Sequence, residues 1–185
     1  MVLLVKMPEI YSPEEDSYLL LDTIKRDVPK ILKKNPNLKF LEIGPGLGIL
    51  LQGVSDIGVK KENIFSADKN RKAVSHCVKL GFNCRHSDLF KNIKGKFDLI
   101  VFNPPYLPLN KDEPKDSRIS TTGGKDGSEI INKFLIQAKK HLTKDGKILL
   151  LTSSHTKGVN FGNYHKKKIN NKKLFFEELF VWELK

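Results

Sequence analysis

The chain has 185 residues, and 33 Lys and Arg against 21 Asp and Glu give it a net charge of +12 at pH 7. With 39% hydrophobic and 29% charged residues, its composition is globular and excludes a disordered, collagen-like or disulfide-scaffold protein. This length holds one sizeable core, so one domain over 1–185 is expected, with little room for a separate recognition module.

At the N-terminus, Met1 to Val5 is apolar, but Pro8, Glu9 and Glu14-Glu15-Asp16 follow at once. No apolar run approaches the roughly 20 residues that span a bilayer. The expectation is a chain without signal peptide or membrane helix, located in the cytoplasm. Ser12-Pro13-Glu14-Glu15 has the form of a capping box, and Leu19, Leu20, Ile24, Val28, Ile31 and Leu32 recur at helical spacing behind it. A helix over 13–33 is predicted, with Pro29 as a point of kinking or division.

Phe40 to Ile43 reads as a buried strand running into Gly44-Pro45-Gly46-Leu47-Gly48 and a short helix. A second strand is expected over Ile64 to Ala67, a helix over Asn70 to Leu80 stopped by Gly81, and a short third strand over Phe82 to Arg85. Phe97 to Phe102 is a fourth strand ending at Asn103-Pro104-Pro105-Tyr106, followed by a loop from Leu107 to about Asp126. Ser128 to Leu142 carries a helical pattern, Lys144-Asp145-Gly146 a turn, and Lys147 to Ser153 a fifth strand. His155 to Asn171 has too little apolar periodicity for a helix, and Lys173 to Lys185 reads as one or two closing strands with Phe175, Phe176, Phe180 and Trp182 in the core. Strands alternating with helices give an α/β domain with a doubly wound, mostly parallel sheet.

Ligands on such a sheet bind beyond the carboxyl ends of its strands. Those ends carry Glu42 with the glycine loop, Asp68, Asp88 and Asn103 in succession. Asp68 lies where a carboxylate can accept from both hydroxyls of a ribose. The glycine loop lacks the third glycine of the dinucleotide fingerprint at its usual place, and Glu42 precedes it. Such a loop suits a cofactor with an ammonium and carboxylate tail better than the pyrophosphate of NAD. Cys77 and Cys84 have no metal-ligand spacing and read as small, buried, reduced thiols. The five His also lack ligand spacing and are expected to be surface or structural, so no metal site is assigned. Lysines concentrate at 30–34, 139–140 and 166–173 without interleaved aromatics, which fits a solvated surface, with a nucleic-acid site as the second reading.

Glu42-Ile-Gly-Pro-Gly-Leu-Gly48 together with Asn103-Pro-Pro-Tyr106 resembles the class I, Rossmann-like S-adenosylmethionine-dependent methyltransferases that modify amino groups. Gly123-Gly-Lys-Asp-Gly127 resembles the HemK family of protein glutamine N5-methyltransferases. Tyr11-Ser-Pro-Glu-Glu-Asp-Ser-Tyr-Leu-Leu-Leu-Asp22 is similar to the start of its archaeal and eukaryotic branch, which lacks the helical domain of the bacterial enzymes. The resemblance implies an antiparallel C-terminal strand, S-adenosylmethionine as cofactor, and a helix 13–33 packed over its site. Glu42, Gly44 and Gly46 would lie at the methionine end with Ser17 closing over it, Asp68 on the ribose, and Asp88 with Leu89 beside the adenine. Asn103, Pro104, Pro105 and Tyr106 would hold the acceptor, a glutamine of a class 1 translation release factor.

The chemistry of that acceptor explains the motif. An amide nitrogen is a poor nucleophile with two good hydrogen-bond donors. If the Asn103 side-chain oxygen and the Pro104 carbonyl accept those hydrogens, the nitrogen is aimed at the methyl group, while Pro105 keeps residue 104 extended and Tyr106 can stack on the planar group. An adenine or guanine amino group of RNA or DNA offers the same pattern, and a lysine amine is a further acceptor. A non-catalytic binding module would not need the full set of strand-end residues. In the branch this chain resembles, a small zinc-binding activator adds a strand beside the third strand, here with Phe82 and Phe90 flanking that edge, so a heterodimer is expected.

Overall fold

The computed structural model describes residues 10–109 and 121–185. The apolar start at Met1 to Val5, with Pro8 and Glu9, and most of the loop after Leu109 lie outside the described residues. The first helix, α1, runs over Glu15–Lys34. The capping box does not form. Glu14 is extended and caps the helix without a side-chain hydrogen bond, so Ser12 and Pro13 precede α1. Glu15 and Asp16 in the first turn and Lys33 and Lys34 in the last complement the helix dipole. Pro29 does not end the helix, although it can donate no backbone bond to the preceding turn. Leu20, Ile24 and Val28 are fully buried, roughly 1.5–3 kcal/mol for each such side chain, which outweighs one missing bond.

Nine strands follow in chain order among the described residues: β1 (Phe40–Ile43), β2 (Ile64–Asp68), β3 (Asn83–His86), β4 (Phe97–Phe102), β5 (Leu107–Pro108), β6 (Thr122–Gly124), β7 (Leu142–Ser153), β8 (Lys166–Lys173) and β9 (Glu178–Leu184). Between them lie helices α2 (Ile49–Asp56), α3 (Arg71–Lys79) and α4 (Glu129–Ala138). Seven strands form one sheet in the order β3-β2-β1-β4-β7-β9-β8, while β5 and β6 pair separately in the loop after β4. β1, β2, β3, β4 and β7 are parallel, and β9 runs antiparallel to both β7 and β8.

Alternation along the central strands sends side chains to two cores. Leu99 and Val101 of β4 join Leu149 and Leu151 of β7 under α1 and α2, while Ile100 and Phe102 join Ile148 and Leu150 under α4. Both faces are therefore covered, as a parallel sheet requires. Among the described residues, no helix is long and apolar enough to cross a membrane.

Four further expectations change. Lys144-Asp145-Gly146 lies inside the continuous strand β7, where the register with β4 shifts between Phe97 and Leu99; Lys144 and Asp145 are exposed while Gly146 is buried against the Phe97 carbonyl. The lysine-rich segment before residue 173 supplies an outer strand, β8, paired throughout with β9. Phe175 and Phe176 are not core: they are 92% and 82% exposed in the turn between β8 and β9. Phe82 and Phe90 are each 4% exposed, so neither presents its ring beside β3. Cys77 and Cys84 are free thiols and buried.

Candidate functional site

One cavity opens beyond the carboxyl ends of β1, β2 and β4. Ser17, Glu42, Gly44, Gly46, Asp68, Asp88, Leu89 and Asn103 all line it, as do Pro104 and Pro105. Tyr106 is half-buried behind them and is not a wall of the cavity.

The glycine loop is tied to β2 by the Gly44 N–H, which donates to the Ala67 carbonyl at 2.8 Å. Gly46 has φ +52°, and a Cβ there would stand 3.3 Å from the Tyr11 carbonyl oxygen, so backbone from the N-terminal segment closes directly over the loop. Beneath it, Glu42 is 2% exposed and its Oε2 has no hydrogen-bond partner among the described residues. Burial, and then the neighbouring Asp68 and Cys84, push the Glu42 carboxyl well above its ordinary range. A buried acid held in this way gains from a cationic ligand, which would restore the charge it lacks.

Asp68 accepts from the Asn70 N–H at 2.7 Å and more weakly from the Gly46 N–H at 3.4 Å. Burial raises its pKa and these backbone bonds oppose the rise, leaving a net upward shift. Beyond β3, Leu89 adopts φ +49°, a left-handed conformation costing about 1–2 kcal/mol for a branched side chain. Ser87 holds that turn by donating from Oγ to the Leu89 carbonyl at 2.8 Å and accepting from the Asn92 N–H at 2.9 Å. Asp88 is exposed at the same turn. With Phe102 and Ile130, Leu89 makes an apolar wall suited to a flat ring. A carboxylate facing the glycine loop, a second at the tip of β2 and an apolar slot beyond it fit S-adenosylmethionine in ammonium, ribose and adenine order.

At the far end, the Asn103 Nδ2 donates to Ser17 Oγ at 3.4 Å, and its Oδ1 is buried without a partner among the described residues. Ser17 in turn donates from its N–H and Oγ to Asp16 Oδ1, at 2.5 and 3.2 Å. Asp16 is 4% exposed, and its other oxygen accepts from the Tyr11 hydroxyl at 3.0 Å. Burial and then Asp16 raise the Tyr11 and Tyr106 phenols, so both remain protonated donors. Asp16 and Tyr11 were absent from the sequence-derived site. Their signal was present, since both belong to the Tyr11 to Asp22 segment, but only the contact with Ser17 reveals their role.

Gly123-Gly124-Lys125-Asp126-Gly127 lies against the Asn-Pro-Pro-Tyr backbone. A Cβ on Gly123 would fall 2.4 Å from the Pro105 carbonyl oxygen, and one on Gly127 2.3 Å from that of Tyr106. Thr156 Oγ donates to the same Tyr106 carbonyl at 3.0 Å. The Glu129 carboxylate accepts from the Asp126 N–H at 3.2 Å, which anchors the glycine segment to the start of α4.

A model of the methyltransferase small domain matches residues 13–172. The chain is similar to the proposed protein N5-glutamine methyltransferase MJ0928 of Methanocaldococcus jannaschii, at 40% identity over 157 residues, covering 80% of this chain and 75% of the relative. It is 27% identical to the eRF1 methyltransferase catalytic subunit mtq2 of Schizosaccharomyces pombe, covering 83% of this chain and 77% of that one. Among solved structures, it resembles a ribosomal protein L11 methylase from Lactobacillus delbrueckii subsp. bulgaricus, with a TM-score of 0.63 at 15% identity over 96% of this chain and 82% of that one. At that identity the likeness is one of fold.

Proposed function

Because the chain belongs to the methyltransferase small domain family, we propose that it moves a methyl group from S-adenosylmethionine to the side-chain amide nitrogen of a glutamine in a class 1 translation release factor. The observation that carries this reading is the buried, unpartnered Asn103 Oδ1 at the end of β4. A lone acceptor inside a cavity costs about 1–3 kcal/mol until a donor reaches it, and an amide N–H is such a donor. The names of the relatives, a protein N5-glutamine methyltransferase and an eRF1 methyltransferase, support the same acceptor.

The cofactor supplies an electrophilic methyl group on a sulfonium centre. The protein's part is binding and orientation. Glu42 and the loop at Gly44 and Gly46 would hold the ammonium end with Ser17 closing over it, Asp68 would take the ribose hydroxyls, and Asp88 and Leu89 would flank the adenine. Asn103 Oδ1 would accept one amide hydrogen of the substrate and the Pro104 carbonyl the other, which would orient the nitrogen for methyl transfer. Pro104 and Pro105 contribute no N–H to compete for those carbonyls. Tyr11 keeps Asp16 hydrogen-bonded, so the carboxylate steadies Ser17 and through it the Asn103 amide. No strong base is required before transfer, because positioning supplies most of the rate; once the new C–N bond has formed at the expense of the C–S bond, the nitrogen loses one hydrogen as a proton to solvent and S-adenosylhomocysteine is the other product. We take 1–185 as one catalytic unit.

The exocyclic amino group of a nucleobase presents the same two hydrogens, and a net charge of +12 is compatible with RNA. Incubation with methyl-labelled cofactor and either purified release factor or total RNA separates the two. Label on a release-factor glutamine supports the proposal, and label on RNA alone overturns it.

We also propose a small zinc-binding activator as partner, adding a strand along β3 and bringing its own metal. β3 is four residues long and ends the sheet. Ser87 N–H bonds back to Asp68 of β2, so by the two-residue alternation the Cys84 and His86 amides face outward, available to a pairing strand.

A further inference from the structure

The turn between β8 and β9 breaks a local rule. Leu174 N–H donates to the Glu177 carbonyl at 2.7 Å, which puts Phe175 and Phe176 at the two central positions. Those positions ordinarily take Gly, Asn, Asp or Pro, for reasons of backbone freedom and local hydrogen bonding. Here they carry two phenyl rings, 92% and 82% exposed, packed edge to face on each other with centroids 4.6 Å apart. Their rings add nothing to either core, and a solvent-facing aromatic pair is a liability unless something covers it.

The place of the turn says what that is. His155 Nε2 lies 2.8 Å from the Phe176 carbonyl oxygen, and the next residue, Thr156, donates to the Tyr106 carbonyl at 3.0 Å. On its other side, Lys172 is ion-paired with Glu15, which adjoins the cavity residue Asp16. The turn that bears the rings is thus tied on two sides to segments that adjoin the acceptor end of the cavity. Lys173 leads into the turn, but Lys172 is paired with Glu15 and Glu177 and Glu178 follow the rings directly, so the tip offers rings flanked by carboxylates, which favours polypeptide over a phosphate backbone.

We infer that Phe175 and Phe176 form a docking platform for apolar side chains of the polypeptide segment that flanks the acceptor glutamine. This rests on the protein-substrate reading above. The platform gives a chain without a recognition module an anchor next to the reacting nitrogen, in the way aromatic residues anchor other interfaces.

The test is steady-state methyl transfer to intact release factor by the full chain carrying both Phe175→Ser and Phe176→Ser. The KM for release factor should rise about tenfold or more, the loss of one or two aromatic anchors. Turnover at saturation, S-adenosylhomocysteine affinity and thermal midpoint should stay at wild-type values, and Phe175→Tyr with Phe176→Tyr should restore the KM. An unchanged KM overturns the inference while leaving the proposed reaction intact. Loss of cofactor affinity or of thermal stability in parallel with transfer also overturns it, since the rings would then be structural. Failure of the wild-type chain to methylate release factor both alone and with the co-expressed activator removes the proposed reaction, and with it this inference.

Discussion

Asn103 and Ser17, 86 residues apart in sequence, meet through one hydrogen bond of 3.4 Å at the mouth of the cavity. That contact commits the Asn103 nitrogen to α1 and turns its oxygen inward, so the N-terminal helix sets the polarity of the acceptor site.

Asn103→Ala should lower transfer by about 10²–10³-fold, the usual loss when one polar group aimed at a reacting centre is removed. S-adenosylhomocysteine affinity, read by isothermal titration, should change little, because the residue acts on the substrate. Equal losses in binding and transfer would contradict that role.

Glu42→Gln should separate stability from function. In the ligand-free protein the raised carboxyl binds a proton that the unfolded chain has released. The stability from that proton is fully present below the ordinary carboxylate range and is lost as pH rises through the elevated folded-state pKa. The Gln variant should therefore melt at a higher temperature than wild type near about pH 8, with the gap closing toward about pH 4. Its affinity for the cofactor should fall by about 1.5–3 kcal/mol, the scale of a charged hydrogen bond. Melting curves at both pH values with titration of S-adenosylhomocysteine check both halves.

Asp68→Ala should weaken S-adenosylhomocysteine binding severely, since the carboxylate would hold two ribose hydroxyls while ordering the Gly46 amide. Titration with NAD is the informative control: binding of NAD in place of the methyl donor would contradict the cofactor assignment.

Gly127→Ala tests how the acceptor loop is braced. The new Cβ would meet the Tyr106 carbonyl oxygen at 2.3 Å in a backbone with φ +83°. Relief requires the Asn-Pro-Pro-Tyr segment to move, at a stability cost of about 1 kcal/mol or more. Turnover should drop while cofactor affinity holds, a split that a general loss of folding would not produce.

Cys84→Pro should disrupt the complex with a co-expressed activator, judged by gel filtration, and Arg85→Glu should disturb it less. The proline removes an outward amide and spares the ladder to β2. A fully active wild-type monomer that ignores the activator would remove this partner.

Much of the fold was legible wherever an apolar run stops abruptly at a polar residue. Phe97 to Phe102 followed by Asn103, and Ile64 to Ala67 followed by Asp68, announce both a buried strand and the functional end of it. β8 was not legible, because Lys166–Lys173 contains one apolar residue, Ile169. It is a strand because β9 provides its ladder and α1 its cover, with Asn170 donating to Thr23 Oγ at 2.9 Å. The start of α1 was misplaced because a capping pattern records only what a serine could do, and Glu14 takes the cap position instead. Hydropathy likewise could not tell Phe175 and Phe176 in a turn from Phe180 in the strand that follows. Among site residues, those on the glycine loop and strand ends were readable from spacing. Asp16 and Tyr11 were not, because their roles exist only through contacts made across the folded chain.

The two outer strands of the sheet are chemically unlike. β8 bears Lys166, Lys167, Lys168, Lys172 and Lys173, so a second copy approaching along it meets its own charge, whereas β3 is short and carries fewer. Growth of the sheet is therefore one-sided. Copies of this chain could meet edge to edge at β3, but they could not go on adding through β8, which denies the chain a route to fibres.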